Sequence, residues 1–180
     1  MQPDLPNFDP SSLVILDESV LDTQGKIHDI KAYEEVSGDP TELRLVFQTC
    51  LRLHRYNRAT AILDRFALLY SENKPALLEV HNQYIQAVVS DIILNRKASL
   101  MPSLQKWFEV DMRIKGHKLE PDATTYALMI KASLHTLHGP KRDRTVRRYW
   151  DLAKKSGVEY EVLTMPILTE AEMGKITEVS

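Results

Sequence analysis

The densest chemistry in this chain lies in KRDRTVRR, residues 141–148. Lys141, Arg142, Arg144, Arg147 and Arg148 crowd together there, and Lys155 follows shortly after. On a helix, Arg144, Arg147, Arg148 and Lys155 fall on one side, while Val146, Tyr149, Trp150 and Ala153 fall on the other. Guanidinium forks match phosphate oxygens, and every phosphate neutralised releases counterions and adds salt dependence. Two readings stand side by side: contact with a nucleic-acid backbone, or a solvated or protein-docking face. Lys131 and the Thr124-Thr125 pair are further candidates for lining a groove, although Thr125 fits better as a capping-turn residue.

Other side chains carry less. His135 and His138 have helical i, i+3 spacing, but no Cys or carboxylate stands near them in the chain, so they read as decoration of a helix end. His81 falls on an apolar face and reads as a satisfied core histidine. Cys50, flanked by Phe47 and Leu51, reads as core rather than nucleophile. Trp107, Phe108 and Trp150 have the faces to stack on bases, yet they coincide with core positions of the pattern described below. There is no GxxxxGK followed by Ser or Thr, and no HExxH, GxSxG or CxxC. No residue is assigned a catalytic, cofactor-binding or metal-ligating role, and no cofactor is expected.

The totals bound the class. With 180 residues, 43% hydrophobic and 27% charged, the chain suits one globular domain with tails. Only 6 Gly and 7% aromatics disfavour all-β folds and glycine-rich phosphate loops. A single cysteine excludes an internal disulfide and fits a reducing compartment. No apolar run approaches the roughly 18 residues that span a bilayer, so no membrane contact is expected. The start, MQPDLPNFDP, is acidic and proline-rich, unlike a secretory signal or an Arg-rich transit peptide. A net charge of −2 conceals an asymmetry, because residues 96–158 hold 14 Lys and Arg against 6 Asp and Glu. A basic block inside an acidic chain points to local contact with phosphate or an acidic partner.

The elements that must position these residues are helices. Residues 1–38 read as a partly irregular arm, broken by Pro3, Pro6 and Pro10, with a short helix near KIHDIKAYEEVSG. From Asp39, which is placed to cap, Pro40 and Glu42 open a helix whose buried face is Leu43, Val46, Phe47, Cys50 and Leu51. Ala59, Ile62, Leu63, Phe66 and Tyr70 form a second face, and Leu77, His81, Tyr84, Ile85, Val88 and Ile92 a third. Leu104, Trp107, Phe108 and Met112 mark a fourth helix that stops at Gly116. Pro121 ends an extended link, and Asp122 caps a fifth helix, with Ala123, Tyr126, Ala127, Ile130, Leu134 and Leu137 in register. Gly139-Pro140 turns the chain into a sixth, which Gly157 ends.

These six helices repeat. Ile62, Leu104 and Val146 are 42 residues apart, as are Phe66, Phe108 and Trp150, and Val46, Val88 and Ile130. The fold class expected is all-α, with stacked antiparallel helix pairs in about three degenerate repeats. The pairs are 39–72, 75–116 and 122–157, within a repeat domain of residues 39–158. Residues 159–180 read as a linker and the start of a following helix, where Thr169 and Glu172 have capping-box spacing.

Residues 107–134, WFEVDMRIKGHKLEPDATTYALMIKASL, resemble the junction between pentatricopeptide repeats. Trp107, Phe108, Met112, Gly116, Pro121, Asp122, Thr125 and Tyr126 fit that pattern in order, and RRYWDLAKKSGVE repeats its second-helix half. The unit of 42 is longer than the family's usual one. That family reads bases through a polar residue after the Tyr, whereas the matching places here hold Ala127 and Ile85, which cannot bond base edges. In such arrays the first helices line the inner groove, while KRDRTVRR lies on a second helix.

With ATTYALMIKASL, KRDRTVRRYWDLAKKSG and ILTEAEMGKITE, the chain is similar to the amino-terminal extension of fungal single-subunit mitochondrial DNA-directed RNA polymerases. The resemblance implies a mitochondrial matrix protein and a non-catalytic region of a nucleotidyltransferase whose catalytic residues lie elsewhere. It also implies RNA, the rest of the polymerase or a mitochondrial transcription initiation factor as partners. A stand-alone mitochondrial pentatricopeptide RNA-binding protein and a protein-binding helical scaffold are the alternatives.

Overall fold

The computed structural model describes residues 40–115 and 118–179. The arm of residues 1–38, its short helix, the Asp39 cap and the Gly116 stop lie outside the described residues. The described chain contains eight α-helices and no strand: α1 (Pro40–Arg52), α2 (Tyr56–Leu69), α3 (Lys74–Leu94), α4 (Met101–Lys106), α5 (Ala123–Thr136), α6 (Gly139–Lys155), α7 (Glu159–Thr164) and α8 (Glu170–Val179). A 3₁₀ turn over Ala98–Leu100 leads into α4, and π-helical winding over Trp107–Lys115 continues it.

The helix ends follow local chemistry. Pro40 occupies the first position of α1, where its missing N–H costs nothing. Asn73 caps α3 by accepting from the Ala76 amide at 3.1 Å. Asp122 caps α5, its Oδ1 accepting from the Thr125 amide at 2.8 Å. Thr169 and Glu172 form the capping box at α8: the Thr169 amide donates to Glu172 Oε2 at 2.7 Å and the Glu172 amide to Thr169 Oγ1 at 3.3 Å. α6 closes on Gly157 at φ +71°, with the Val158 amide reaching back to the Ala153 carbonyl at 3.1 Å. α1 closes in the same way on His54 at φ +56°, with the Arg55 amide bonded to the Cys50 carbonyl at 2.8 Å.

The helices stack in two layers. α1, α3, α5 and α7 follow one another in a row, each packed on the next; α2, α4 and α6 lie against them, and α8 packs on α6. Ile62, Leu104 and Val146 are all buried at the 42-residue interval, and so are Phe66, Phe108 and Trp150. The third series is corrected. Val46 is 46% exposed, and the buried set at that interval is Leu43, Ile85 and Ala127. The reason is rotational: Leu43, Phe47 and Cys50 already fill the side of α1 that meets α2, and Val46 lies off it.

Two further differences come from packing. α5 is buried on every side over residues 125–130, because Leu128 and Met129 join the expected stripe there, and Ala132 and Ser133 extend it. It touches α3, α4, α6 and α7, so this stretch has no water-facing side to keep polar. Residues 159–164, expected as linker, form α7, which packs with α8 against the α5–α6 pair. The fourth helix departs from regular winding at Trp107; its wider π turns keep Trp107, Phe108 and Met112 all on the buried side.

Candidate nucleic-acid interface

α6 carries the basic residues, and its opposite face holds them in place. Val146, Tyr149, Trp150 and Ala153 are buried, which fixes the helix rotation. Arg144, Arg147, Arg148, Asp151, Leu152 and Lys155 therefore line one shallow depression of about 410 Å³. At 1.5 Å of rise per residue, Arg144 and Lys155 stand roughly 16 Å apart along the helix.

The cations differ in what they touch. Arg144 and Lys155 are exposed and have no ion-pair partner among the described residues. Arg147 Nε donates to the Val179 carbonyl at 2.6 Å. Arg148 Nη1 pairs with Glu109 Oε1 at 2.8 Å, and both side chains remain partly exposed. Asp151 is held by Lys154 at 2.9 Å. Lys141 is exposed at the helix start, and Arg142 pairs with Asp143 at 2.8 Å; neither lines the depression.

Lys131 is not brought to this strip. Its Nζ donates to the Ile167 carbonyl at 2.5 Å and lies 3.6 Å from Glu172 Oε2. His135 joins the same cluster, with Nε2 at 2.6 Å from Glu172 Oε1. A carboxylate from α8 thus accompanies one of the histidines, although none stands near it in sequence. Burial pushes the Glu172 carboxyl up, but the Thr169 amide, His135, the Thr169 hydroxyl and Lys131 together hold it below the usual glutamate value. The cluster ties α5 to the start of α8. Two of its members are cationic or carry ring N–H groups, and among the described residues no group of three His, Cys, Asp or Glu has metal-ligating placement.

The positions that would read a base are closed. Ile85 and Ala127 are fully buried. Thr125 is buried too, its hydroxyl within reach of Asn82 Oδ1 at 2.6 Å and Asp122 Oδ1 at 2.9 Å. Asn82 Nδ2 in turn donates to both Asp122 oxygens, at 3.0 and 3.1 Å. The Pro-Asp junction is therefore a lock between α3 and α5, with its polar atoms spent inside the fold. Trp107, Phe108 and Trp150 are at most 8% exposed and act as core. His81 is fully buried and stacks on Trp107 at 5.4 Å between centroids. Burial pushes the Cys50 thiol up, against a smaller opposing effect of Arg58, which leaves it a poor nucleophile.

Sequence reasoning missed Glu109 as a partner of Arg148, and Asp91 as a buried hub. Asp91 Oδ2 accepts from the Tyr56 hydroxyl at 2.8 Å and from Lys97 Nζ at 3.0 Å. Neither residue shows a spacing motif: Asn95 and Lys97 stand close to Asp91 in the chain, but only the tertiary fold brings Tyr56 to Asp91 and Glu109 to Arg148. Among the described residues no helix is long and apolar enough to cross a membrane.

Comparison with known proteins agrees with the all-helical repeat fold. The family described as "RPO41-like, TPR repeats" matches residues 22–180. The mitochondrial DNA-directed RNA polymerase of Neurospora crassa is 30% identical over 177 residues, which cover 98% of this chain and 12% of that protein. No solved structure matches the chain. An all-helical stack in two layers and a family match over almost all of it lead to one statement: the chain belongs to the RPO41-like family of TPR repeat regions.

Proposed function

We propose that this chain is the non-catalytic, N-terminal repeat region of a mitochondrial DNA-directed RNA polymerase in the matrix, and that α6 holds the phosphate backbone of its RNA. The observation that carries the reading is the strip itself. Arg144, Arg147, Arg148 and Lys155 converge on one open depression, while the places that would read bases are buried. Such a surface favours contact that is strong at low salt and indifferent to sequence. Docking against the rest of the polymerase or an initiation factor is the second reading. It is favoured by Leu45 and Val46 on α1 and Leu53 just after it, large apolar side chains that are 46–63% exposed.

The experiment is binding of single-stranded RNA at two salt concentrations. Replacing Arg144, Arg147 and Arg148 together by Ala removes up to three phosphate contacts. It is expected to weaken binding by about 10- to 100-fold at low salt and to flatten the salt slope by about 2. Unchanged affinity would remove these residues from the interface. No binding by the unaltered chain at low salt would leave docking as the function.

A further inference from the structure

We infer that Glu109 competes with RNA phosphate for Arg148, and so sets how tightly the α6 strip binds. This rests on the reading of α6 as a phosphate-contacting face. The three arginines start from different states. Arg144 has no ion-pair partner among the described residues, and Arg147 bonds a neutral carbonyl, so both keep their full charge for a ligand. Arg148 alone is neutralised by a carboxylate from outside α6, reached across from the π-helical segment of the preceding pair.

Asp151, the one acid that lines the depression among the described residues, is already matched by Lys154. Glu109 is thus the negative charge a phosphate must face when it approaches Arg148. The charge is felt locally, since the buried Tyr149 hydroxyl beneath the strip is pushed up to about 12, chiefly by burial and secondly by Glu109. Side chains 57% and 30% exposed hold an ion pair weakly, so a phosphate can open it. The arginine fork then exchanges one oxyanion for another, and the released carboxylate turns to solvent.

The test uses the full chain and a single-stranded oligouridylate as the probe, titrated at several salt concentrations. Glu109→Gln keeps the size of a partly exposed side chain and removes its charge. It is expected to bind about 3- to 10-fold more tightly at low salt, with a slope steeper by about 0.7, the increment of one added phosphate contact. In Glu109→Gln combined with Arg148→Ala that gain should vanish, because a charge effect acting through Arg148 needs the guanidinium. If the unaltered chain binds but Glu109→Gln matches it, or the gain survives loss of Arg148, the competition is overturned and the strip stands. If neither form binds at low salt, the strip reading falls and the competition with it. Circular dichroism of each variant verifies that the helices are retained.

Discussion

Phe108→Ala lowers the unfolding free energy of the repeat array by about 3–5 kcal/mol, seen as a lower urea midpoint with an unchanged slope. Phe108 is fully buried, with its ring 5.3 Å from Tyr149 and 6.2 Å from Tyr126, both edge-to-face. It joins the π-helical segment to α5 and α6 at once, and the Arg113 guanidinium lies 5.6 Å over its ring. Truncation therefore leaves a cavity at a three-way junction and removes the common partner of two aromatic pairs. Three separate elements cannot close that gap without shifting a helix. Val46→Ala, by contrast, should stay within about 0.5 kcal/mol because that side chain is 46% exposed. Equal losses from the two substitutions would show that the 42-residue series does not mark the core.

Asp91→Ala costs about 2–4 kcal/mol for a different reason. The Asp91 side chain is 1% exposed. Its carboxylate accepts from Tyr56, Lys97 and Asn95, and lies 3.0 Å from the His54 ring. One buried group thus binds the end of α1, the start of α2 and the end of α3. Removing it strands donors from all three. Burial pushes the Asp91 carboxyl up, but Asn95, Lys97, Tyr56 and His54 outweigh it and hold it below the ordinary value of 3.8. A carboxyl depressed on folding adds stability that is complete above its unfolded value and is lost as pH falls through the folded one. Stability of the unaltered chain should therefore drop as pH falls below about 3.8, with a smaller drop for Asp91→Ala. Thermal unfolding of both across that range is the measurement, and identical pH profiles would remove Asp91 from this role.

Much of the architecture was legible because helical periodicity and caps are local signals. Pro40, Asp122, Gly157 and the Thr169–Glu172 box each act within a few residues, and each appears where its spacing placed it. The basic strip was legible for the same reason, since Arg144, Arg147, Arg148 and Lys155 sit on one helix whose inner face was already evident. What escaped depends on meetings between elements. Val46 lies on the apolar side by count, yet it stays 46% exposed. Lys131 looked available for a ligand until α8 delivered Glu172 and Ile167 to it. Glu109 has no motif, and its importance exists only where the π-helical segment passes beside Arg148.

The enclosure of α5 over residues 125–130 governs how the helical stack comes apart. Its neighbours must leave before water reaches its backbone, so its amide hydrogens exchange with deuterium last, while those of α1 and α8 exchange by fraying. Damage to α1 or α8 is then survivable, and damage to α5 spreads through the neighbouring helices.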